Sequence, residues 1–247
     1  MPHPFLTARW EHLIFLNFPV VPVLLAGLVP RGTELDTWDG VALISLVGFH
    51  FRDTAVRGLP IPGHRHFEEV NLRFYVRRRE AGGGYRRAVV FVRELVPRVA
   101  IAAVARWVYN EPYLAVPMSH ATSIDPGTGG TVRYDWRYRA RDYTLAAEVD
   151  GPPTPCIVGT EAEFITEHYW GYTRQRDGST LEYQVDHPPW RVWTPTMASF
   201  EGPGADLYGE AFGAILGTRP QSAFVAEGSH VAVHAGRRLI DRMHEPA

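Results

Sequence analysis

The chain contains no lysine and only one cysteine. All 25 of its Lys and Arg residues are arginines, so no side chain can form an imine with a carbonyl substrate. Cys156 by itself cannot form an internal disulfide, which is typical of a reducing compartment. Mechanisms that depend on a lysine Schiff base are therefore excluded from the composition alone.

An excess of charge of either sign is also lacking. The formal net charge is −2, which gives no electrostatic attraction to nucleic acid or to an anionic membrane. No nucleophile elbow, P-loop, Rossmann fingerprint or paired CxxC motif is present. We therefore expect a small organic molecule as the partner, with no nucleic acid, no membrane and no cofactor, and a homo-oligomer remains open.

The longest apolar run, residues 13–30, is interrupted by Asn17 and by three prolines. Pro19 and Pro22 would break the hydrogen bonding of a spanning helix, so the run predicts a buried helix near Val23–Leu28 instead. Residues 1–11 lack the basic start and apolar core of a signal peptide. We therefore expect a cytoplasmic protein.

What the chain does contain is a large share of apolar residues, with 45% hydrophobic and 21% charged residues. This balance supports a buried core and argues against disorder. No repeat, long linker or break in composition appears, so we expect one domain over residues 1–247. Strands are predicted at 41–51, 66–76, 88–95, 132–149 (a pair), 162–173, 180–187 and 229–236, helices at 98–110 and 205–217, and a hairpin turn at 82–84.

The segment HFEEVNLRFYV (66–76) shows strict period-2 alternation, which is typical of a strand with two different faces. Its apolar face is formed by Val70, Leu72, Phe74 and Val76, and its polar face by Glu69, Asn71, Arg73 and Tyr75. The apolar face predicts burial in a core. The polar face fits either bulk water or an enclosed pocket, and a simple ion pair between Glu69 and Arg73 is the structural alternative.

Two other clusters contain residue types suited to metal binding or acid/base chemistry. His64, His66 and Glu68 lie at i, i+2 and i+4 and are ligands suited to zinc or iron, but surface histidines are commoner and we expect no metal. Residues 167–170 combine Glu167, His168, Tyr169 and Trp170. Within a predicted strand that has two mixed faces, His168 fits either an acid/base group or a satisfied wall residue.

Alternating arginines and aromatic residues occupy 133–139. Such a pattern can stack on nucleic-acid bases, but a half-buried strand accounts for it without a ligand.

An ordered set of local patterns resembles one family. The segments are LVPRGTELDTWDG, ALISLVGFHF, HFEEVNLRFYV, AVARWVYNEPY, EFITEHYWGY and VDHPPW. Over roughly residues 8–240 they follow the order of the YqjF-like proteins, an uncharacterised family in the acetoacetate decarboxylase-like superfamily. The resemblance implies an α+β, mostly β fold: a closed, curved barrel or cone with flanking helices and an internal ligand cavity.

The resemblance extends to only part of the decarboxylase site. Glu69 matches the carboxylate that lines the decarboxylase cavity. Tyr113 takes the place of the reactive lysine, and Ala105-Arg106 takes the place of the Gly-Arg pair that precedes it. Leu114 and Pro19 stand where the decarboxylase has its neighbouring lysine and its substrate-binding arginine. A Schiff-base decarboxylase is therefore excluded by this comparison as well.

Two hypotheses from different classes follow. The first is an enzyme for a small carbonyl or enol compound, an isomerase, hydratase or C–C lyase without a covalent imine. Its catalytic residues would be Glu69, Tyr113 and His168, and its substrate-binding residues Arg73, Asn71, Arg106, Glu167 and Tyr169. The second is a non-catalytic binder that uses the same cavity. A purely structural role is the third and least favoured hypothesis.

Overall fold

The computed structural model describes residues 3–102 and 110–239. Strands make up most of its regular structure. The strands are β1 (Leu6–Pro19), β2 (Glu34–Leu35), β3 (Leu43–Val56), β4 (Leu59–Pro60), β5 (Phe67–Arg79), β6 (Tyr85–Val96), β7 (Tyr113–Ala115), β8 (Met118–Thr122), β9 (Gly129–Tyr138), β10 (Arg141–Asp150), β11 (Thr154–Pro155), β12 (Trp170–Arg174), β13 (Thr180–Asp186), β14 (Arg191–Trp193), β15 (Met197–Glu201), β16 (Ser222–Val233) and β17 (Arg237–Arg238). The helices are α1 (Glu161–Thr166), α2 (Gly204–Tyr208) and α3 (Glu210–Leu216).

The larger sheet closes on itself. Its strands follow the order β16-β1-β3-β5-β6-β12-β13, and β13 pairs again with β16. Neighbouring strands are antiparallel except at β6 and β12, which run parallel. The result is an irregular, strongly curved ring with an inner and an outer face, which confirms the predicted fold class.

A second sheet, ordered β15-β10-β9-β8, covers part of the outer face of this ring. The side chains of the ring and of the second sheet share one hydrophobic core, which includes Leu72 of β5 and Leu145 of β10. Gly48 of β3 allows a close approach, because a Cβ atom there would lie 2.7 Å from Leu145 Cδ2. The four predicted core residues of β5 are fully buried in this layer, as the alternation predicts: Val70, Leu72, Phe74 and Val76.

The inner face of the ring carries a second hydrophobic core and a buried polar chain. Ser45 donates to Asn17 Oδ1 at 2.6 Å, and its hydroxyl lies 2.5 Å from that of Tyr75. Asn17 in turn donates to Ser222 at 2.9 Å. These bonds connect β1, β3, β5 and β16 inside the ring and satisfy side chains that would otherwise destabilise a buried wall.

The helix predicted near Val23–Leu28 is wrong. The structure has a short 3-10 helix at Pro22–Leu24, and Val23 is 77% exposed. The preceding apolar residues belong to β1, which ends at Pro19. With Pro22 at its start and Gly27 close behind, the remaining segment is too short for a stable buried helix.

The strand predicted at 162–173 is also wrong in its first half. Residues Glu161–Thr166 form α1, and β12 begins only at Trp170. The Thr160 side chain caps the helix by accepting from the backbone N–H of Glu163, and two acidic residues lie in the first turn. Such capping residues stabilise a helix start, so His168 lies in the connection after α1 rather than on a strand face.

The helix predicted at 98–110 is only partly covered by the described residues, and the helix predicted at 205–217 is divided in two. Residues 99–102 are helical, whereas the rest of the predicted helix 98–110, with Arg106, falls largely outside the described residues. The 205–217 pattern divides into α2 and α3 because Gly209 between them has a φ of 82°, a left-handed conformation. Over the part of the chain that the structure describes, no helix has both the length and the apolar character needed to cross a membrane.

Candidate functional site

A cavity of about 280 Å³ lies inside the ring. One part of its wall is aromatic and is formed mainly by Trp10, Phe49, Phe51, Phe67, Phe91 and Trp190. The other part is polar and includes Glu69, Asn71, Arg73, Glu94, Glu111, Tyr113, His168 and Tyr183. A largely apolar pocket with a few convergent polar groups is the usual form of a small-molecule site.

Glu69 projects from the inner face of β5 into this cavity. Asn71 donates to its Oε1 at 3.0 Å, and the Tyr113 hydroxyl donates to its Oε2 at 3.1 Å. Burial raises the pKa of Glu69 to about 7, against the opposing effects of both hydrogen bonds and of the Arg73 charge. The carboxyl group is therefore poised to exchange a proton near neutral pH.

Two further buried carboxyl groups, which the sequence patterns did not reveal, lie in the same cavity. Glu94 of β6 pairs in register with Asn71 of β5 and with Tyr113 of β7. Burial, followed by the charges of Glu111 and Glu69, raises its pKa well above the usual value. The signal for Glu94 was a single carboxylate inside the strand AVVFVREL, which is otherwise mostly apolar.

Glu111 is the third carboxyl group, and it comes directly before Pro112. Its Oε1 accepts from the hydroxyl of Thr173 at 2.5 Å and from that of Tyr183 at 3.0 Å. Burial raises the pKa of Glu111 to about 7. Since both donors lie on β12 and β13, far along the chain, local sequence could not reveal this site.

The two phenols beside these carboxyl groups stay protonated at neutral pH. Burial and the neighbouring carboxylates raise the pKa of Tyr113 and of Tyr183 well above 10. A protonated phenol donates a hydrogen bond to whichever oxygen faces it. Tyr113 thus supplies a donor next to Glu69, at the position predicted from the resemblance.

Arg73 extends into the cavity two residues beyond Asn71. Its Nη2 donates to the carbonyl of Ile165 at 3.3 Å, and its guanidinium lies 5.2 Å from the centre of the Phe15 ring. Within the described residues, Arg73 makes no direct ion pair with Glu69, and its buried Nε has no hydrogen-bond partner. The alternative of a simple ion pair in the wall is therefore not what holds β5 in place.

His168 is buried between the cavity and the ring of Tyr75, at a centroid distance of 4.7 Å. Its Nε2 is 3.9 Å from Asp36 Oδ2, and within the part of the chain described neither ring nitrogen has a hydrogen-bond partner. Burial lowers the pKa of His168 to about 4. The imidazole is therefore neutral at neutral pH.

Of the remaining predicted site residues, Glu167 and Tyr169 do not join this group. The hydroxyl of Tyr169 donates to Glu167, and neither side chain is among the described residues that line the cavity. Arg106 lies outside the described residues. His64 lines the cavity, but His66 does not, and Glu68 bonds His120 instead at 2.7 Å. In residues 3–102 and 110–239 no group of three or more His, Cys, Asp or Glu side chains is suited to hold a metal ion.

The ring and its internal cavity define an acetoacetate decarboxylase-like fold. The acetoacetate decarboxylase of Legionella pneumophila superposes with a TM-score of 0.67 at 15% identity, covering 98% of this chain and 90% of that one. An acetoacetate decarboxylase-like enzyme from Sphingomonas wittichii RW1 gives 0.65 at 14% identity, with coverages of 96% and 94%. The enduracididine biosynthesis enzyme MppR, complexed with pyruvate, gives 0.65 at 17%, with coverages of 98% and 93%.

The family follows from sequence. Residues 7–230 match the DUF2071 family, whose description is "uncharacterized conserved protein". The uncharacterised protein YqjF of Bacillus subtilis strain 168 is 31% identical over 186 residues, which are 73% of this chain and 72% of that protein. The chain belongs to the DUF2071 family, and the predicted resemblance to YqjF-like proteins is confirmed.

Proposed function

We propose that this protein is an enzyme that acts on a small carbonyl- or enol-containing molecule by non-covalent acid/base chemistry. The observation that carries the proposal is the contact between Glu69 and Tyr113 inside the cavity, at 3.1 Å. It combines a proton acceptor whose pKa is about 7 with a neutral phenol donor. The lack of lysine leaves acid/base chemistry as the route to an enolate.

In the proposed reaction, the Glu69 carboxylate removes a proton from the carbon next to the carbonyl group. The electron pair of that C–H bond forms a carbon–carbon double bond, and the π pair of the carbonyl moves onto oxygen, which gives the enolate. As Glu69 takes up the proton, the single O–H of Tyr113 leaves Glu69 Oε2 and donates instead to this oxygen, the electrostatic role of an oxyanion hole. Return of the proton to a carbon atom completes an isomerisation, and a hydratase or C–C lyase would use the same enolate.

The other cavity residues have supporting roles in this proposal. Asn71 fixes the Glu69 carboxyl group through its 3.0 Å hydrogen bond. Arg73, whose buried Nε has no hydrogen-bond partner among the described residues, anchors a second substrate oxygen. His168 is a neutral imidazole on the same wall and provides a second proton carrier. One solved neighbour of this fold is complexed with pyruvate, which supports a small organic molecule as the ligand.

Exchange of hydrogen for deuterium at the carbon next to a carbonyl group tests the proposal directly. We expect the protein to accelerate this exchange in 4-phenylbutan-2-one, observed by proton NMR in D₂O. The rate should rise with pH through about 7, because only the ionised form of Glu69 accepts a proton. Glu69→Gln should lower the rate by about 10²–10⁴, and Tyr113→Phe should lower it as well.

Glu68→Gln is the matched control, because Glu68 precedes Glu69 on the same strand but bonds to His120. It should leave the exchange rate unchanged. If Glu69→Gln alters only the affinity for the ketone, and the wild-type protein gives no exchange, the cavity binds without catalysis and the enzyme proposal fails.

We also propose that residues 1–247 form one domain in a reducing, cytoplasmic compartment. The shared hydrophobic core of the two sheets supports the first point. The unpaired Cys156 supports the second.

A further inference from the structure

The polar part of the cavity has an imbalance of ionisable groups. Glu69, Glu94 and Glu111 are 3%, 2% and 5% exposed, and all three line the cavity. Among the described lining residues the one arginine is Arg73, whose Nη2 already donates to a backbone carbonyl. Three buried carboxyl groups around one cavity destabilise each other when ionised, unless a positive charge enters between them.

A second observation concerns hydrogen bonding rather than charge. Asn71 is 1% exposed and donates to Glu69 through Nδ2, but its Oδ1 has no partner within the described residues. Its neighbour in the sheet is Glu94, whose Oε2 likewise has no partner in the described part of the chain. Buried polar atoms without partners are rare in folded proteins and often mark a ligand site.

The two unpartnered oxygens are hydrogen-bond acceptors when Glu94 is ionised. They lie on adjacent strands and face the same cavity, so they would be satisfied by a ligand that carries several N–H donors. A primary ammonium group has three such donors and a positive charge. The described residues hold no cluster suited to a metal ion, which favours a polyatomic cation over a metal.

The volume and the aromatic wall of the cavity limit the size and the polarity of the rest of the ligand. A void of about 150 Å³ accepts a benzene ring, so the 280 Å³ here accommodates one ring with a short side chain. Trp10 lies within 5.0 Å of Phe49 and 5.7 Å of Phe51, between ring centres. This wall provides apolar and aromatic contact for such a ring.

We propose that the substrate is an amino-carbonyl compound with an apolar body, whose protonated amino group binds between Asn71, Glu94 and Glu111. This inference rests on the proposed function, because it adds the charge of the substrate to the chemistry assigned to Glu69 and Tyr113. It also sets the protein apart from enzymes whose substrate is a simple carboxylate. A carboxylate-bearing ligand without an amino group would meet three carboxyl groups and only one arginine.

The proposal predicts that binding of the amine is linked to the release of protons and therefore depends on pH. Because the pKa of Glu69 and of Glu111 is about 7, the carboxyl cluster holds protons at slightly acidic pH. An ammonium group stabilises the ionised carboxylates and lowers their pKa, so its binding releases protons. The affinity for an amine therefore rises from about pH 6 to about pH 8. The affinity for a neutral ketone does not rise over this interval.

Isothermal titration calorimetry with three probes of similar size tests this inference. The probes are 3-phenylpropylamine, 4-phenylbutan-2-one and 4-phenylbutyrate, and each is titrated at pH 7, where the carboxyl cluster still holds protons, in two buffers of different ionisation enthalpy. We expect the amine to bind at least about tenfold more tightly than either other probe. The difference in heat between the buffers should show proton release for the amine.

Variants that keep the shape of the side chain locate the amino group. Glu94→Gln and, independently, Glu111→Gln should weaken amine binding by about tenfold or more and ketone binding far less, whereas Glu68→Gln should change neither. The proposal is overturned if the amine fails to bind, if the ketone or the carboxylate binds as tightly, or if both glutamine variants keep wild-type affinity for the amine.

The calorimetry and the exchange assay test the two proposals separately, so that either proposal can fail without the other. Amine binding without exchange in the ketone would leave a binding protein with the inferred charge preference. Exchange without amine binding would leave the enzyme and remove the amino group from its substrate.

Discussion

The phenol ring of Tyr183 lies directly against the backbone of Gly171, its partner in the β12–β13 hairpin. A Cβ atom at position 171 would collide with the ring carbon and the hydroxyl of Tyr183. Because that hydroxyl donates to Glu111 at 3.0 Å, a residue without a side chain on β12 determines how one carboxyl group of the cavity is held.

Gly171→Ala should therefore displace Tyr183 and destabilise the protein by about 1–3 kcal/mol, the usual cost of overpacking. Urea denaturation followed by circular dichroism measures the change. Gly27→Ala is the matched control, since nothing lies within 4 Å of a Cβ atom there, and it should change the free energy of unfolding by less than about 0.5 kcal/mol. Equal stability of the two variants would contradict the close packing.

Glu69→Gln should alter how stability depends on pH. The folded state keeps a proton on Glu69 up to about pH 7, whereas the unfolded chain releases it near the ordinary glutamate pKa of 4.5. Wild-type stability therefore falls, relative to that of the variant, as pH rises from about 4.5 to about 7. The sign follows because the folded state binds more protons than the unfolded state in this window.

The full relative change is about 3.5 kcal/mol, because the two pKa values differ by about 2.5 and each unit corresponds to about 1.4 kcal/mol. Urea denaturation of both proteins between about pH 4.5 and pH 8 measures it, and Glu68→Gln should follow the wild type. Parallel profiles for wild type and Glu69→Gln would show that the carboxyl group is not desolvated.

Leu72→Ala should destabilise the protein by about 2–5 kcal/mol, because it leaves a cavity between the two sheets. Leu59, which is 68% exposed, provides the comparison, and Leu59→Ala should change stability by less than about 0.5 kcal/mol. Chemical denaturation of both variants checks this difference. A cost for Leu72→Ala as small as that for Leu59→Ala would mean that the outer face of β5 is not a core layer.

Borohydride reduction in the presence of pyruvate should trap no adduct on any internal residue. An imine requires a primary amine, and this chain has only its α-amino group because it lacks lysine. Peptide mapping by mass spectrometry reads the outcome. Tyr113→Lys is the positive control, since it introduces an amine beside Glu69, and an adduct on an internal residue of the wild-type protein would refute the argument.

Period-2 alternation predicted much of the fold, and the burial of Leu72 and its neighbours follows from it directly. The inward position of Glu69 was predictable only together with the family resemblance. Glu94 and Glu111 were not predicted, because their partners are non-local: Glu111 bonds Thr173 and Tyr183. Single carboxyl groups in apolar segments have no period, so the sequence carries no local sign of where they converge.

The error at α1 has a different cause. Phe164, Ile165 and Thr166 are β-branched or aromatic residues, and such residues favour strands. The sequence nevertheless contains a signal for a helix start at Thr160, since Thr160 and Glu163 have the spacing of a capping box. In the structure Glu163 accepts from the backbone N–H of Gly159 at 2.9 Å. The local capping signal outweighed the composition of a segment only six residues long.

The closure of the ring is uneven along its circumference. β1 pairs with β16 from Leu6 to Asn17, whereas β13 meets β16 at Val185 and Asp186, and β12 meets β6 at Gly171. The β12–β13 hairpin is thus joined to the ring on either side by short ladders, and it carries the two hydroxyl groups that hold Glu111. This hairpin is the part of the ring that should open most readily. Amide hydrogens in its two short ladders should exchange with solvent before those of β1, β3 and β5. A molecule bound at Glu111 would hold the hairpin closed and slow this exchange.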